Sequence, residues 1–352
     1  MDKVMMISGG EYFYWKPIIL AIAAMAAALL AIGLRVWRGE KLLPLAFALP
    51  VGTVLSVFLA RCIHWYCRFE SYPSFASALT ELKGGGYSLM GVFAGVMLAM
   101  LLARGLRLTR DLPSLLDCAA PAAGLGVALG RLGDYFTAAD RGKVIVADAA
   151  LHRLPFSAAV VNGASGATEW RFATFAFQSM WCALLCLIFL IAALLPTKRK
   201  RPLVKENWGR GNIFALFMVL YCCGQIVTDS TRYDALFLRS NGFVSLEQIV
   251  CAVVIFAFLV LYSVRSLLVR RFRFWHPILW VLALGGLGAA GYMEYYVQRH
   301  GNEYIFAYSV MCAGLFVFFC AVFALFRTSI LRAGPVPEEP EENETEGETA
   351  PC

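Results

Sequence analysis

The chain has 352 residues, 60% of them apolar and 16% charged, with a mean hydropathy of +0.66. A soluble globular chain runs nearer roughly one half apolar and one quarter charged, so a soluble enzyme or binding module is excluded. The net charge of +7 invites a nucleic-acid partner, but the basic residues sit in short stretches between apolar blocks, which removes that reading.

In chain order the apolar blocks are 17–36, 43–60, 87–103, 115–129, 174–195, 213–227, 244–264, 277–297 and 304–326. A bilayer core takes roughly 20 apolar residues per helix, so these blocks predict an all-α polytopic membrane protein of about nine transmembrane helices. No alternation recurs often enough to build a barrel. The first block is too long, and wrongly flanked, for a cleaved signal peptide, and reads as a retained helix. Alternate connections carry Arg35, Arg38 and Lys41; Arg104, Arg107 and Arg110; Lys198, Arg199, Lys200, Arg201, Lys205 and Arg210; Arg265, Arg270, Arg271 and Arg273; and Arg327 with Arg332. Those stretches hold 18 of the 31 Lys and Arg residues, which puts the N-terminus outside and the C-terminus in the cytoplasm. The basic runs also suit contact with anionic lipid.

Polar residues in or beside a span are functional candidates, because burying them costs several kcal/mol unless they are paired. The second span ends Arg61-Cys62-Ile63-His64, and the third enters through Ser88-Leu89-Met90-Gly91. The fourth begins beside Asp117, near the inner face, and ends Gly130-Arg131-Leu132-Gly133-Asp134. An external segment, 131–173, follows; at that length it carries function or short helices of its own. Gln178 opens the fifth span, and Ser245-Leu246-Glu247-Gln248 opens the seventh. On the sixth, Tyr221, Gln225, Asp229 and Arg232 fall at steps of four, four and three, a single helical face. Five spans and the external segment thus deliver polar groups to one layer near the outer leaflet, a cavity open to lipid headgroups or to an exported substrate. Most of the eleven cysteines lie inside spans as small apolar residues; Cys62 and Cys67 are close enough in sequence to pair. The spacing of Cys and His indicates no metal, and no cofactor is expected. After Arg332 an acidic, proline-rich stretch reads as a disordered cytoplasmic tail, 333–352.

These residues resemble the prolipoprotein diacylglyceryl transferase family. Its signature, close to Gly-Arg-x-Gly-Asn-x-x-Asn-x-Glu-x-x-Gly, is met in register by Gly130-Arg131-Leu132-Gly133-Asp134, then Thr137, Ala139 and Gly142. Asp117 with Ala120-Pro121 is similar to the family's Asp-x-x-Ala-Pro. Tyr221, Gln225, Asp229, Arg232 and Asp234 follow its sixth-span pattern, Ser245-Leu246-Glu247-Gln248 its Ser-Met-Gly-Gln, and Ser88 with Gly91 and Gly95 its Ser-Phe-His-Gly…Gly. The resemblance implies a seven-helix core in 1–270, two further membrane helices in 275–326, and residence in a bacterial plasma membrane. It implies transfer of diacylglyceryl from phosphatidylglycerol to the lipobox cysteine of exported prolipoproteins, by thiolate displacement of glycerol phosphate.

Several family positions are substituted: His by Met90, the Asn pair by Asp134 and Thr137, Glu by Ala139, the sixth-span Arg by Gln225, and a fifth-span Glu by Gln178. The implied chemistry needs a cation on the phosphate leaving group and a base for the thiol. Arg131 and Arg232 supply the cation; His64, Asp134 and Asp140 are the nearby replacements for the base. The candidate catalytic residues are therefore Arg131, Asp134 and Asp229. The candidate substrate-binding residues are Arg61, His64, Ser88, Gly142, Tyr221, Gln225, Arg232 and Gln248. A non-catalytic relative that binds phospholipid or lipoprotein in the same cavity is the alternative. A transporter is a third reading, without the inverted repeat or paired broken helices that fold class shows.

Overall fold

In hydrocarbon a backbone satisfies its own polar groups, so apolar blocks of bilayer length become helices. The computed structural model describes residues 4–8, 11–80, 85–162, 165–195, 211–238, 241–269, 274–300 and 303–330. The basic run 198–210, Arg270, Arg271, Arg273, Arg332 and the acidic tail lie outside the described residues. The helices are α1 (Trp15–Trp37), α2 (Leu43–Cys67), the short α3 (Phe75–Thr80), α4 (Leu89–Gly105), α5 (Leu112–Leu132), α6 (Thr174–Leu194), α7 (Asn212–Thr231), α8 (Leu246–Val269), α9 (Trp275–His300) and α10 (Tyr304–Ile330). Among the described residues eight helices are long and apolar enough to cross a membrane, and α4 is a shorter apolar ninth. The polytopic all-α expectation is met.

The spans pack as a chain of neighbours: α1 on α5, α5 on α6, α6 on α7 and α7 on α8, with α10 against both α7 and α8 and α9 against α10. Phe217, Tyr221, Ile255, Leu259 and Phe318 fill the larger core between these helices. A second core, including Ala31, Leu45, Ala99, Met100 and Leu115, joins α1, α2, α4 and α5. Helices α2 and α4 pair most closely. A Cβ on Gly91 would lie 2.3 Å from the Ala60 backbone, and one on Gly95 2.3 Å from the Ser56 backbone. Small residues one turn apart permit such approach where no hydrophobic force drives helices together.

Asp117 has a structural task. It is fully buried, and its carboxylate accepts the backbone N–H groups of Gly211 (2.8 Å) and Phe214 (2.9 Å) at the start of α7. The first turn of a helix leaves such donors unpaired, and here a neighbouring helix caps them.

The segment after α5 does not form α-helix. A 3-10 turn (Gly133–Phe136) continues α5, and β3 (Ser157–Val161) and β4 (Thr168–Phe172) make an antiparallel hairpin. Between them runs an extended strap. On one side Gly142 N–H donates to Phe172 O (2.8 Å) and Val146 N–H to Trp170 O (2.7 Å). On the other, Lys143 N–H donates to Thr231 O (2.8 Å), and Tyr233 N–H to Arg141 O (2.9 Å). The strap is therefore stitched between the hairpin and the end of α7. Short strand pairs also precede α1, β1 (Val4–Ser8) with β2 (Glu11–Tyr14), and α8, β5 (Phe237–Leu238) with β6 (Asn241–Ser245). Cys62 and Cys67 are not joined to each other, so the disulfide the sequence allowed is not formed.

Candidate functional site

Successive spans alternate in direction, so the ends of α5 and α7 meet the beginnings of α6 and α8 at one end of the bundle. The polar residues found in the sequence gather there. Arg131, in the last turn of α5, is ion-paired with Asp134 on the following turn (3.3 Å) and with Asp140 on the strap. Asp140 uses its other carboxylate oxygen on Arg232 Nε (2.5 Å). One buried carboxylate thus holds two guanidiniums from segments far apart in the chain. Arg232 also reaches Asp229 (3.2 Å), Asp234 (3.2 Å) and Glu247 (3.5 Å). Lys16, in the first turn of α1, closes the layer on the far side through Asp134 (2.6 Å).

Local backbone places Asp140 at the junction. Its φ of 53° lies in the left-handed region, which Asp tolerates better than most residues, and its N–H donates to Asp234 Oδ2 (3.2 Å). Gly142, two residues on, has no room for a side chain: a Cβ there would stand 2.7 Å from Phe172 Cβ. Gly142 is thus a backbone requirement of the strap that carries Asp140, bridged to Arg232 on the other side.

Below the ions lies a row of amides. Gln178 of α6 donates to Gln225 of α7, which donates to Glu247 of α8 (2.8 Å). Gln248 and Ser245 bond each other through backbone and side chain, and the Ser245 hydroxyl donates to Asp229. Gln225, Asp229 and Arg232 thus share the network their spacing predicted. Tyr221, the fourth of that stripe, is packed between Phe93 (5.1 Å between centroids) and Phe217 (5.9 Å) in the aromatic layer beneath. Met90 lies in the same apolar layer.

Arg61, His64 and Ser88 belong to a second group, on the α2–α4 side. Arg61 is 2% exposed; it donates to Ala78 O (2.6 Å) and to the carbonyls of Gly85 and Gly86, and its guanidinium lies 5.1 Å from the Tyr87 ring. His64 Nδ1 shares a 3.0 Å hydrogen bond with the Tyr72 hydroxyl. Ser88 starts α4, with its backbone N–H on Ala60 O (3.2 Å).

Sequence reading passed over three participants. Lys16 stands at the mouth of the first span, where a flanking lysine is ordinary. Arg141, beside Asp140, is buried over the Phe175 ring (4.5 Å) and donates to Thr137 O (3.0 Å). Burial lowers its pKa below the ordinary guanidinium value, against the pull of Asp134. Glu294 of α9 left a readable signal: a carboxylate inside an otherwise apolar block.

Comparison with known proteins gives one consistent result. Residues 5–264 match the model of the family described as prolipoprotein diacylglyceryl transferase. Among curated relatives, a phosphatidylglycerol–prolipoprotein diacylglyceryl transferase of Clostridium kluyveri is 24% identical over 266 residues, covering 74% of this chain and 97% of the relative. Proteins of the same name from Bacillus licheniformis (24%; 70% and 87% covered) and Shouchella clausii (23%; 79% and 95% covered) are also similar. The family match ends before α9 and α10 begin.

Proposed function

The chain belongs to the prolipoprotein diacylglyceryl transferase family, and from that premise we propose that it moves diacylglyceryl from phosphatidylglycerol to the lipobox cysteine of exported prolipoproteins. The observation that carries this reading is the convergence of Arg131 and Arg232 on one point at one end of the bundle. Each guanidinium offers five N–H donors in a plane that matches phosphate oxygens, so donors remain after Asp140 is held. In the transfer, the cysteine thiolate forms a bond to the glycerol carbon bearing the phosphate. The carbon–oxygen bond breaks with its electrons on oxygen, and glycerol phosphate leaves against the arginines. The thiol proton passes to solvent, since Met90 stands where the family has His. In the cell the site would face outward, with the N-terminus outside and the C-terminus cytoplasmic.

The test combines purified protein, phosphatidylglycerol and a lipobox peptide, with thioether formation followed by mass. Turnover should rise with pH as the thiol approaches its reference value of about 8.5. A second reading, a relative that binds phospholipid or lipoprotein without reaction, is favoured by the carboxylates Asp134, Asp140, Asp229, Asp234 and Glu247, which already neutralise both arginines. Thioether product defeats that second reading. Bound phosphatidylglycerol with no product at any pH defeats the transferase.

A further inference from the structure

Two helices beyond the family match reach into the polar layer, and one brings a carboxylate. Glu294, near the end of α9, is 4% exposed. Its Oε2 accepts from Gln248 Nε2 (3.0 Å) and its Oε1 from Gln298 Nε2 (2.8 Å). Gln248 also donates to Ile226 O on α7 (3.2 Å) and is locked to Ser245, whose hydroxyl donates to Asp229. Asp229 in turn holds Arg232 (3.2 Å). A continuous line of hydrogen bonds therefore runs from α9 through the start of α8 to the arginine. One more contact ties the same region together. Tyr308 of α10 donates to Ser230 O (3.5 Å).

A buried carboxylate costs several kcal/mol in a membrane helix unless something is gained from it. Packing alone does not ask for one, because α9 and α10 are held by their own close approach: a Cβ on Gly286 would stand 2.3 Å from Gly314 O. We propose that Glu294 is a positioning residue of the transferase site, supplied by the two-helix extension, which fixes Gln248 and through Ser245 and Asp229 sets the orientation of Arg232. This rests on the transferase reading given above. The extension thereby adds a carboxylate to a layer in which positions 178 and 225 are neutral amides.

The experiment uses full-length protein and compares Glu294→Gln, Gln248→Ala, their combination, and Gly286→Ala. Glu294→Gln keeps size but places an amide against two amide donors, so kcat should fall about tenfold or more with little change in KM for phosphatidylglycerol, as misplacement of a catalytic group does. The double variant should lose no more than Gln248→Ala alone, because groups acting in one line are not additive. Gly286→Ala should lower the melting temperature and leave turnover per folded molecule as in the parent. Wild-type turnover in Glu294→Gln, or additive losses in the double variant, overturns the proposal. If the parent forms no product, the transferase reading falls by itself. The line of bonds is then judged by hydrogen exchange over residues 226–232. Acceleration in both single variants that the double variant does not exceed supports it, and unchanged exchange overturns it.

Discussion

Asp140 presents one oxygen to Arg131 and the other to Arg232, so a phosphate reaching this point shares the arginines with a built-in anion. The sequence marked both arginines, one through its register in the Gly-Arg-x-Gly run and one through a helical stripe. It did not mark Asp140 as their common partner, because that pairing joins residues 92 positions apart on a loop without periodicity. Hydrogen bonds to charged groups contribute about 1.5–3 kcal/mol, which corresponds to roughly tenfold or more in affinity. Arg131→Ala should therefore weaken phosphatidylglycerol binding by about that factor, measured by native mass spectrometry. Arg131→Lys should fall between, since an ammonium keeps the charge and loses the planar fork. Equal binding in the parent and Arg131→Ala would take Arg131 out of the site. Asp134 is tied to Lys16 and Arg131, which suits an anchor more than a base. Asp134→Asn should keep thioether formation within a few-fold of the parent, and its abolition would make Asp134 the base.

At the scale of elements, helix positions were legible because apolar length is set by the bilayer and needs no knowledge of neighbours. What each helix packs against was legible only where small residues repeat. Gly91 and Gly95 appeared in the sequence as motif matches, and the structure supplies their physical reason, direct backbone contact with α2. The hairpin β3–β4 and the strap were not foreseen, since β3 (Ser157–Val161) is a short apolar run without alternation and the alternation in β4 (Thr168–Phe172) is too short to stand out. Asp117 was readable only as a costly buried charge, and its partners, the first donors of α7, follow from the fold. The close α2–α4 contact yields a graded prediction. Gly95→Leu inserts a side chain where a Cβ alone would lie 2.3 Å from the Ser56 backbone, whereas a Cβ at Gly105 on the same helix meets nothing within 4 Å. Overpacking of this kind costs about 1–3 kcal/mol or more. Thermal unfolding in detergent should show a drop of several degrees for Gly95→Leu and little change for Gly105→Leu. Equal melting would mean that the two helices are free to separate.

For the molecule as a whole, the proposed transfer requires a bundle oriented with its polar layer outward, the orientation expected from charge in the connections. Lys16, Arg131, Arg232, Glu247 and Glu294 come from five spans and lie at one end. If basic connections mark the cytoplasm, that end faces outward, where an exported prolipoprotein would arrive. Conversely, a layer opening inward would meet neither the exported cysteine nor outer-leaflet lipid. Two positions decide it. Ala150 is exposed on the segment between α5 and α6, beyond the layer. Position 203 falls in the basic stretch between α6 and α7, outside the described residues. Ala150→Cys should react with a membrane-impermeant thiol reagent on intact cells, and Leu203→Cys should react only after permeabilisation. The parent chain is labelled in parallel, because Cys62 and Cys67 carry thiols that are only half-buried. Labelling of position 203 alone on intact cells would invert the bundle, remove the outward-facing layer, and take the acceptor cysteine out of reach of Arg131 and Arg232.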